Sequence, residues 1–379
     1  MGQDKLEAEW AAEAAEAAEE ADRLRKSEPP PDLSRGEFLA WRSPRRVSHN
    51  PTRLDNPLWH WLVRTRWSAY QANEKLRGPS AFNAGPMWCF ARYGMSQTLL
   101  PDCRVVHVGG EHEDHYDPDF CIYNDVTVIG PAGEIAVHGY PESEFPPTDF
   151  HTATLVGDSI VIIGCLGHPG QRVVGATPVF QLVLDTMRIL RVDTCGSAPG
   201  WIREHTAALS DSGCEIVVRD GEVWRGDDRS MAENIDTWSL DLATARWTRQ
   251  SALDWQRWTM LRVDRKPNRL WDLRQELWHR EHAWSGLESY WKFSDEPDFA
   301  ALAALYTPAD GARSAKEGPE YNDYRVVVDG ITLRFKEERF LVQAMVEGRL
   351  SDDRLAALQR RTLRLLERLD ASEWEIESD

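Results

Sequence analysis

Arg104-Val105-Val106-His107-Val108-Gly109-Gly110 is a short apolar, β-branched run ending in glycines, and the chain repeats it twice. The second copy is Ser159-Ile160-Val161-Ile162-Ile163-Gly164-Cys165 and the third is Cys214-Glu215-Ile216-Val217-Val218-Arg219-Asp220-Gly221. Each follows a turn (Leu100-Pro101-Asp102, Gly157-Asp158 or Asp211-Ser212-Gly213) and each reads as a strand. The strand before it repeats too: His151-Thr152-Ala153-Thr154-Leu155 returns as His205-Thr206-Ala207-Ala208-Leu209, about 54 residues on. The strands after it are Asn124-Asp125-Val126-Thr127-Val128, the run from Val179 to Asp185, and Asp236-Thr237-Trp238-Ser239-Leu240-Asp241. A repeat of this length is one supersecondary unit that needs its neighbours to bury its apolar face.

The order is His-x-Ala, then an apolar strand ending in Gly-Gly, then Asn-Asp, a strand ending in Asp, and a Trp. It resembles the Kelch repeat, whose units are four-stranded blades of a β-propeller. The first unit carries Gly109-Gly110 with Asn124-Asp125, and the third keeps Asn234, Asp236, Trp238, Asp241 and Trp247. The second has Gly164-Cys165 in place of a glycine pair, and the third has no pair. The resemblance implies a mainly β fold: a partial or small Kelch-like propeller over residues 88–265. A fourth unit is sought in Trp258-Thr259-Met260-Leu261-Arg262-Val263. An open arc would leave strand edges that need cover, and helices at 54–76 and 271–291 are the candidates for that cover.

The flanks read as helices and one small α+β unit. Residues 1–31 are an exposed Ala/Glu-rich helix closed by Pro29-Pro30-Pro31. Residues 32–87 form a helical lead-in, with Asp55-Asn56-Pro57 as cap and first turn and Leu58, Trp61, Leu62, Thr65 and Ala69 on the buried face. Residues 266–309 are a Trp-rich helical segment, and nine of the 17 tryptophans fall between Trp224 and Trp291. Residues 310–379 give a β-hairpin turning at Asp329-Gly330, a segment 340–346 open between strand and helix, and a terminal helix capped at Ser351-Asp352-Asp353.

The net charge of −18 repels phosphate backbones and anionic membrane surfaces. Neither nucleic acid nor a membrane is therefore expected as a partner. No apolar run approaches the ~20 residues of a membrane helix, and the N-terminus lacks a signal-peptide pattern, so a cytoplasmic protein is expected. The six cysteines show no zinc-finger spacing and are read as reduced core thiols. Phosphate-binding glycine loops and nucleophile elbows are absent.

One run concentrates ligand-type side chains: Glu111-His112-Glu113-Asp114-His115-Tyr116-Asp117-Pro118-Asp119. Oxygen and imidazole ligands suit a divalent metal. Glu111, His112, Asp114, His115, Tyr116 and Asp117 are thus the candidate binding residues, with His112, His115 and Asp114 as ligands if a metal is bound. The competing reading is a solvated loop with no cofactor. His151 and His205 recur once per unit, which argues for a structural role, and His107 lies within an apolar strand. The His279 and His282 pair lacks a nearby carboxylate partner. Family members serve most often as interaction platforms, so the resemblance implies a protein-binding scaffold without an assigned reaction. A metal-dependent enzyme using loop 111–119 is the alternative.

Overall fold

The structure is a computed structural model that describes residues 17, 29, 32–112, 117–226, 231–282, 293, 295–307, 313–314, 322–328 and 330–378. The helix expected near the N-terminus lies outside these residues. The fold is mainly β, built from antiparallel sheets none of which closes on itself. It divides into two units, residues 1–252 and 253–379.

The first unit begins with helices α1 (Arg35–Trp41), α2 (Pro57–Thr65), α3 (Ala69–Lys75) and α4 (Ala81–Ala84). The sequence suggests one helix over 54–76; the structure has two. The Asn56 side chain caps α2 by accepting from Trp59 N at 2.8 Å. Arg66 then turns left-handed, and Ser68 starts α3 with a reciprocal capping box to Gln71. Strand β1 (Thr52–Arg53) lies between α1 and α2, and three four-stranded meanders follow α4 among the described residues.

The first meander is β2 (Ser96–Leu99), β3 (Val105–Val108), β6 (Val126–Ile129) and β7 (Ile135–Gly139), with a short ribbon of β4 (Glu111–His112) and β5 (Cys121–Ile122) inserted after β3. The second is β8 (Thr152–Val156), β9 (Ser159–Ile163), β10 (Val179–Val183) and β11 (Arg188–Arg191). After β12 (Cys195–Gly196) and β13 (Trp201–Arg203) comes the third: β14 (Thr206–Leu209), β15 (Glu215–Arg219), β18 (Trp238–Asp241) and β19 (Arg246–Arg249). Its inserted ribbon is β16 (Glu222–Trp224) with β17 (Ala232–Glu233), and β13 pairs with β16.

Strand alternation gives each sheet two apolar faces, and these stack. Val106, Val108, Val126 and Val128 meet Ile160, Ile162, Phe180 and Leu182 between the first and second sheets. Val161, Ile163 and Val179 meet Ile216, Val218, Leu240 and Trp247 between the second and third. The opposite face of the first sheet, Ile135 and Val137, packs on Trp59, Trp61, Leu62 and Trp88, with Trp59 stacked on Trp88 at 4.4 Å. The first strands β2, β8 and β14 run side by side.

The stacking explains the glycines. Gly109 has φ +58, and a Cβ there would lie 2.2 Å from the Thr148 carbonyl oxygen; Gly164 has φ +71, and a Cβ there would lie 2.3 Å from that of Ile202. In both places the backbone leading into the next meander crosses the end of the strand, accepting from Gly110 N at 2.8 Å and from Cys165 N at 2.9 Å. Asp220 is the counterpart in the third unit. It is exposed at φ +57, so a side chain is tolerated there and the motif lapses. The repeated histidines also belong to this stacking. His151 Nε2 bonds Ser96 Oγ at 2.8 Å and His205 Nε2 bonds Thr152 Oγ1 at 2.9 Å, each tying one meander to the first strand of the previous one.

The outer edges of the sheets are blocked by small devices, which limits edge-to-edge pairing. Strand β1 pairs with β7, and β12 runs parallel along β19. On β11 the Asn50 carboxamide imitates a strand residue, accepting from Ile189 N at 2.9 Å and donating to its carbonyl at 2.6 Å.

In the second unit, residues 256–262 are not part of a fourth meander. They form β20 (Gln256–Arg262), which pairs with β24 (Leu341–Glu347) and β25 (Trp374–Ser378). The sheet continues through β23 (Ile331–Glu337) and β22 (Asp323–Val328) to β21 (Arg313–Ser314). The open segment 340–346 is therefore a strand. Helices α5 (Leu270–Glu281), α6 (Phe299–Ala304) and α7 (Asp352–Asp370) bury Leu270, Leu273, Leu302, Leu358, Leu366 and Leu369 against it. The cysteines match the core expectation only in part. Cys89 and Cys165 are buried, Cys121 is half-buried, and Cys103, Cys195 and Cys214 are exposed. The exposed ones lie outside the repeated core strands, Cys103 and Cys214 in the turns before β3 and β15.

Candidate functional site

The long connections from the second to the third strand of successive meanders stand together at one end of the stack. Trp201 Nε1 donates to Leu166 O at 3.0 Å, and Phe120 meets His168 edge-on at 6.0 Å. Gly167 N donates to Asp149 Oδ1 at 2.6 Å. This end carries Glu111, His112 and Asp117 of the acidic and histidine-rich run.

A buried polar knot anchors the loop. The Arg92 guanidinium reaches Asp125 at 2.6 and 3.0 Å and also donates to the Gly109 and Cys89 carbonyls. Its centre lies 3.4 Å from the Tyr123 ring centroid. Trp88 Nε1 donates to Asp125 Oδ2 at 2.6 Å. The Arg92 and Asp125 side chains are 1% and 9% exposed, so the pair is fully engaged internally.

His112 belongs to this knot. Its Nδ1 is 2.8 Å from Tyr123 Oη, which also accepts from Cys89 N and faces the Met87 carbonyl, both at 3.2 Å. One assignment of protons satisfies all three contacts: Tyr123 donates to Met87 O, and His112 Nδ1–H donates to Tyr123. That leaves His112 Nε2 as a bare lone pair, buried and without a partner among the described residues. Burial, with Arg92 nearby, pushes this imidazole down to about 4, so it is neutral. Cys121 stands opposite His112 in the ribbon, and burial pushes its thiol up to about 12, away from nucleophile chemistry.

Of the residues expected to bind, Glu111, His112 and Asp117 are described, and Asp114, His115 and Tyr116 lie outside the described residues. Asp117 Oδ1 accepts from Asp119 N at 2.9 Å, a local turn contact. Among the described residues no group of three His, Cys, Asp or Glu side chains is arranged to hold a metal ion. His107 is a core residue edge-on to Phe90 at 5.0 Å, and burial pushes it down to about 4. His282 spends its ring on Trp278, stacking at 4.6 Å and bonding its carbonyl at 2.9 Å.

Three features at this end carry no signal in the sequence. Tyr93 is bridged to Glu111 and 72% exposed, while Val173 and Val174 are 56% and 60% exposed. Asp149 is a fully buried carboxyl that no motif marks. A cleft of about 500 Å³ lies beside the ribbon, lined by Arg45, Trp59, Phe120, Tyr123, Glu142 and His168 among others. The second unit has its own cleft of about 1010 Å³, with Trp271, Trp278 and Tyr324 in its walls and the Arg274–Glu337 pair, at 2.6 and 2.7 Å, among its lining. No family model matches this chain, and no curated protein matches its sequence.

Proposed function

We propose that this chain is a protein-interaction scaffold, a three-unit arc of Kelch-like repeats whose loop end is the binding face. The carrying observation is the contrast at that end. Its arginine, aspartate and histidine side chains are largely tied into internal bonds, while Tyr93, Val173 and Val174 are presented to solvent. Contiguous exposed apolar patches mark partner surfaces, and binding side chains concentrate on loops held by a rigid scaffold. The acidic charge and the lack, among the described residues, of any helix long and apolar enough to cross a membrane fit a protein partner.

The test is partner capture from the native host by the full chain. Tyr93→Ala with Val173→Ser and Val174→Ser should lose the captured protein without a change in melting temperature. Leu99→Ser, at an exposed position before the turn into β3, should keep it. Equal loss in both variants, or in neither, would contradict the assignment of the face.

A second reading, a divalent-metal enzyme, draws on His112 alone. An imidazole whose Nδ1–H is held by Tyr123 and whose Nε2 is bare has the orientation of a ligand histidine. Elemental analysis of protein purified without chelator separates the two. Stoichiometric metal lost on His112→Ala favours the enzyme, and metal-free protein favours the scaffold.

A further inference from the structure

The cleft of the second unit is lined wholly by residues between Pro267 and Arg339. One wall is α5, where Trp271, Gln275 and Trp278 fall on one stripe of the helix. The two tryptophans stand two turns apart, about 10.5 Å along the axis, and are 50% and 39% exposed. His282 stacks on one face of Trp278 at 4.6 Å, so Trp271 offers the fuller platform. The facing wall is fixed by its own bonds. Arg274 reaches across to Glu337 with bonds of 2.6 and 2.7 Å and lies 4.2 Å from the Tyr324 ring centroid. Asn322 Nδ2 donates to Glu337 O at 2.6 Å, and Glu337 N donates to Asn322 O at 2.9 Å. Asn268 ties the start of α5 to the turn after β23. Its Nδ2 donates to Glu338 O at 2.7 Å, its N donates to Arg339 O at 2.8 Å, and its Oδ1 accepts from Leu270 N at 3.2 Å. The cleft is thus shaped before any ligand enters, as small-molecule sites are, and its volume of about 1010 Å³ is at the upper end for them.

Three polar side chains in these walls are not used by the fold. Asp272, Gln275 and Arg339 make no side-chain hydrogen bond or ion pair among the described residues. A carboxylate only accepts, a guanidinium only donates, and a carboxamide does both. The wall charges nearly cancel, with Asp272, Glu337 and Glu338 against Arg274 and Arg339, so neither a strong anion nor a strong cation is favoured. An indole face, with its negative quadrupole, takes the C–H groups of a flat apolar surface. Adjacent donors and acceptors take hydroxyls. A sugar ring presents both at once.

We propose that this cleft binds a neutral saccharide, with ring faces on Trp271 and Trp278 and hydroxyls bonded by Asp272, Gln275 and Arg339. The two-turn spacing of the indoles fits a chain of several rings better than a single sugar. The site lies apart in sequence from the loop end of the first unit and does not rest on the role given to that end.

The full chain is titrated with maltohexaose, cellohexaose and chitohexaose, followed by calorimetry and tryptophan fluorescence. At least one should bind saturably. Trp271→Ala and Gln275→Ala should each weaken that binding about tenfold or more, at an unchanged melting temperature. Phe82→Ala, at an exposed aromatic of the first unit, should leave the affinity as it is. Heparin, an anionic saccharide, and choline, a cation that also favours aromatic faces, should not displace the hexaose. Absence of binding by all three hexaoses, unchanged affinity in both cleft variants, or displacement by heparin or choline would overturn the assignment. If Trp271→Ala fails to fold, Gln275→Ala decides.

Discussion

The first and third meanders are built to one plan and finished in opposite ways. Both insert a two-stranded ribbon after the second strand, and both place an Asn before the third, Asn124 and Asn234. Both pair an arginine with an aspartate at that strand's entry. In the first, Arg92 and Asp125 are sealed beneath Trp88 and Tyr123, and α2 covers the outer face. In the third, Arg249 meets Asp236 at 2.5 Å with its side chain 42% exposed, and strand β14 faces solvent at Thr206, Ala208 and Leu209. One repeat can therefore serve as a buried anchor or a solvent-facing end, depending on what packs beyond it.

Substitutions at matched positions sharpen this contrast. Gly164→Ala or Gly109→Ala should cost about 3–5 kcal/mol or abolish soluble protein, because the Cβ meets a backbone carbonyl at a left-handed φ. Asp220→Ala, at the equivalent place, should stay within about 1 kcal/mol by urea unfolding. Arg92→Ala should cost about 3–5 kcal/mol because it strands a buried carboxylate. Arg249→Ala should cost less, about 1–2 kcal/mol, because its guanidinium is 42% exposed even though Asp236 is buried. A large effect at Asp220 or Arg249 would break the comparison.

Acid should act through the buried imidazoles. Burial pushes His107, His112 and His205 down to about 4 and His151 to about 3. The unfolded chain then binds protons that the folded one refuses, so stability is full above about pH 6.5 and falls as pH drops toward about 4. Melting temperatures across that window check this, and His151→Gln should reduce the slope. At the blocked edge of β11, Asn50→Ala should cost about 1–2 kcal/mol and leave the Ile189 backbone unpaired.

Strands, hairpins and the internal repeat were legible because β-branched runs and turn residues act locally. The Asn56-Pro57 start of α2 was legible for the same reason. The break at Arg66 was not, since a capping box at Ser68 overrode a continuous apolar stripe. Residues 256–262 carry a strand signal, but the sequence does not say which sheet they join, and they pair with strands about 80 to 120 residues later. The sequence shows the glycine departures in units two and three but not their reason: a Cβ at Gly164 would meet the Ile202 carbonyl oxygen at 2.3 Å, whereas Asp220 at the matching place is exposed. At the loop end, His112 stood out by type, whereas its partner Tyr123 and the burial of Asp149 depend on contacts no spacing encodes.

The central claim is that the three meanders form an arc anchored at the first and open at the third. Amide hydrogen exchange on the full chain tests it most directly. The account predicts slow exchange in β3, β6, β9 and β10, intermediate exchange in β8, and fast exchange in β14. Protection of β14 equal to that of β8 would mean that something packs where the structure leaves the arc open, and the account would be wrong.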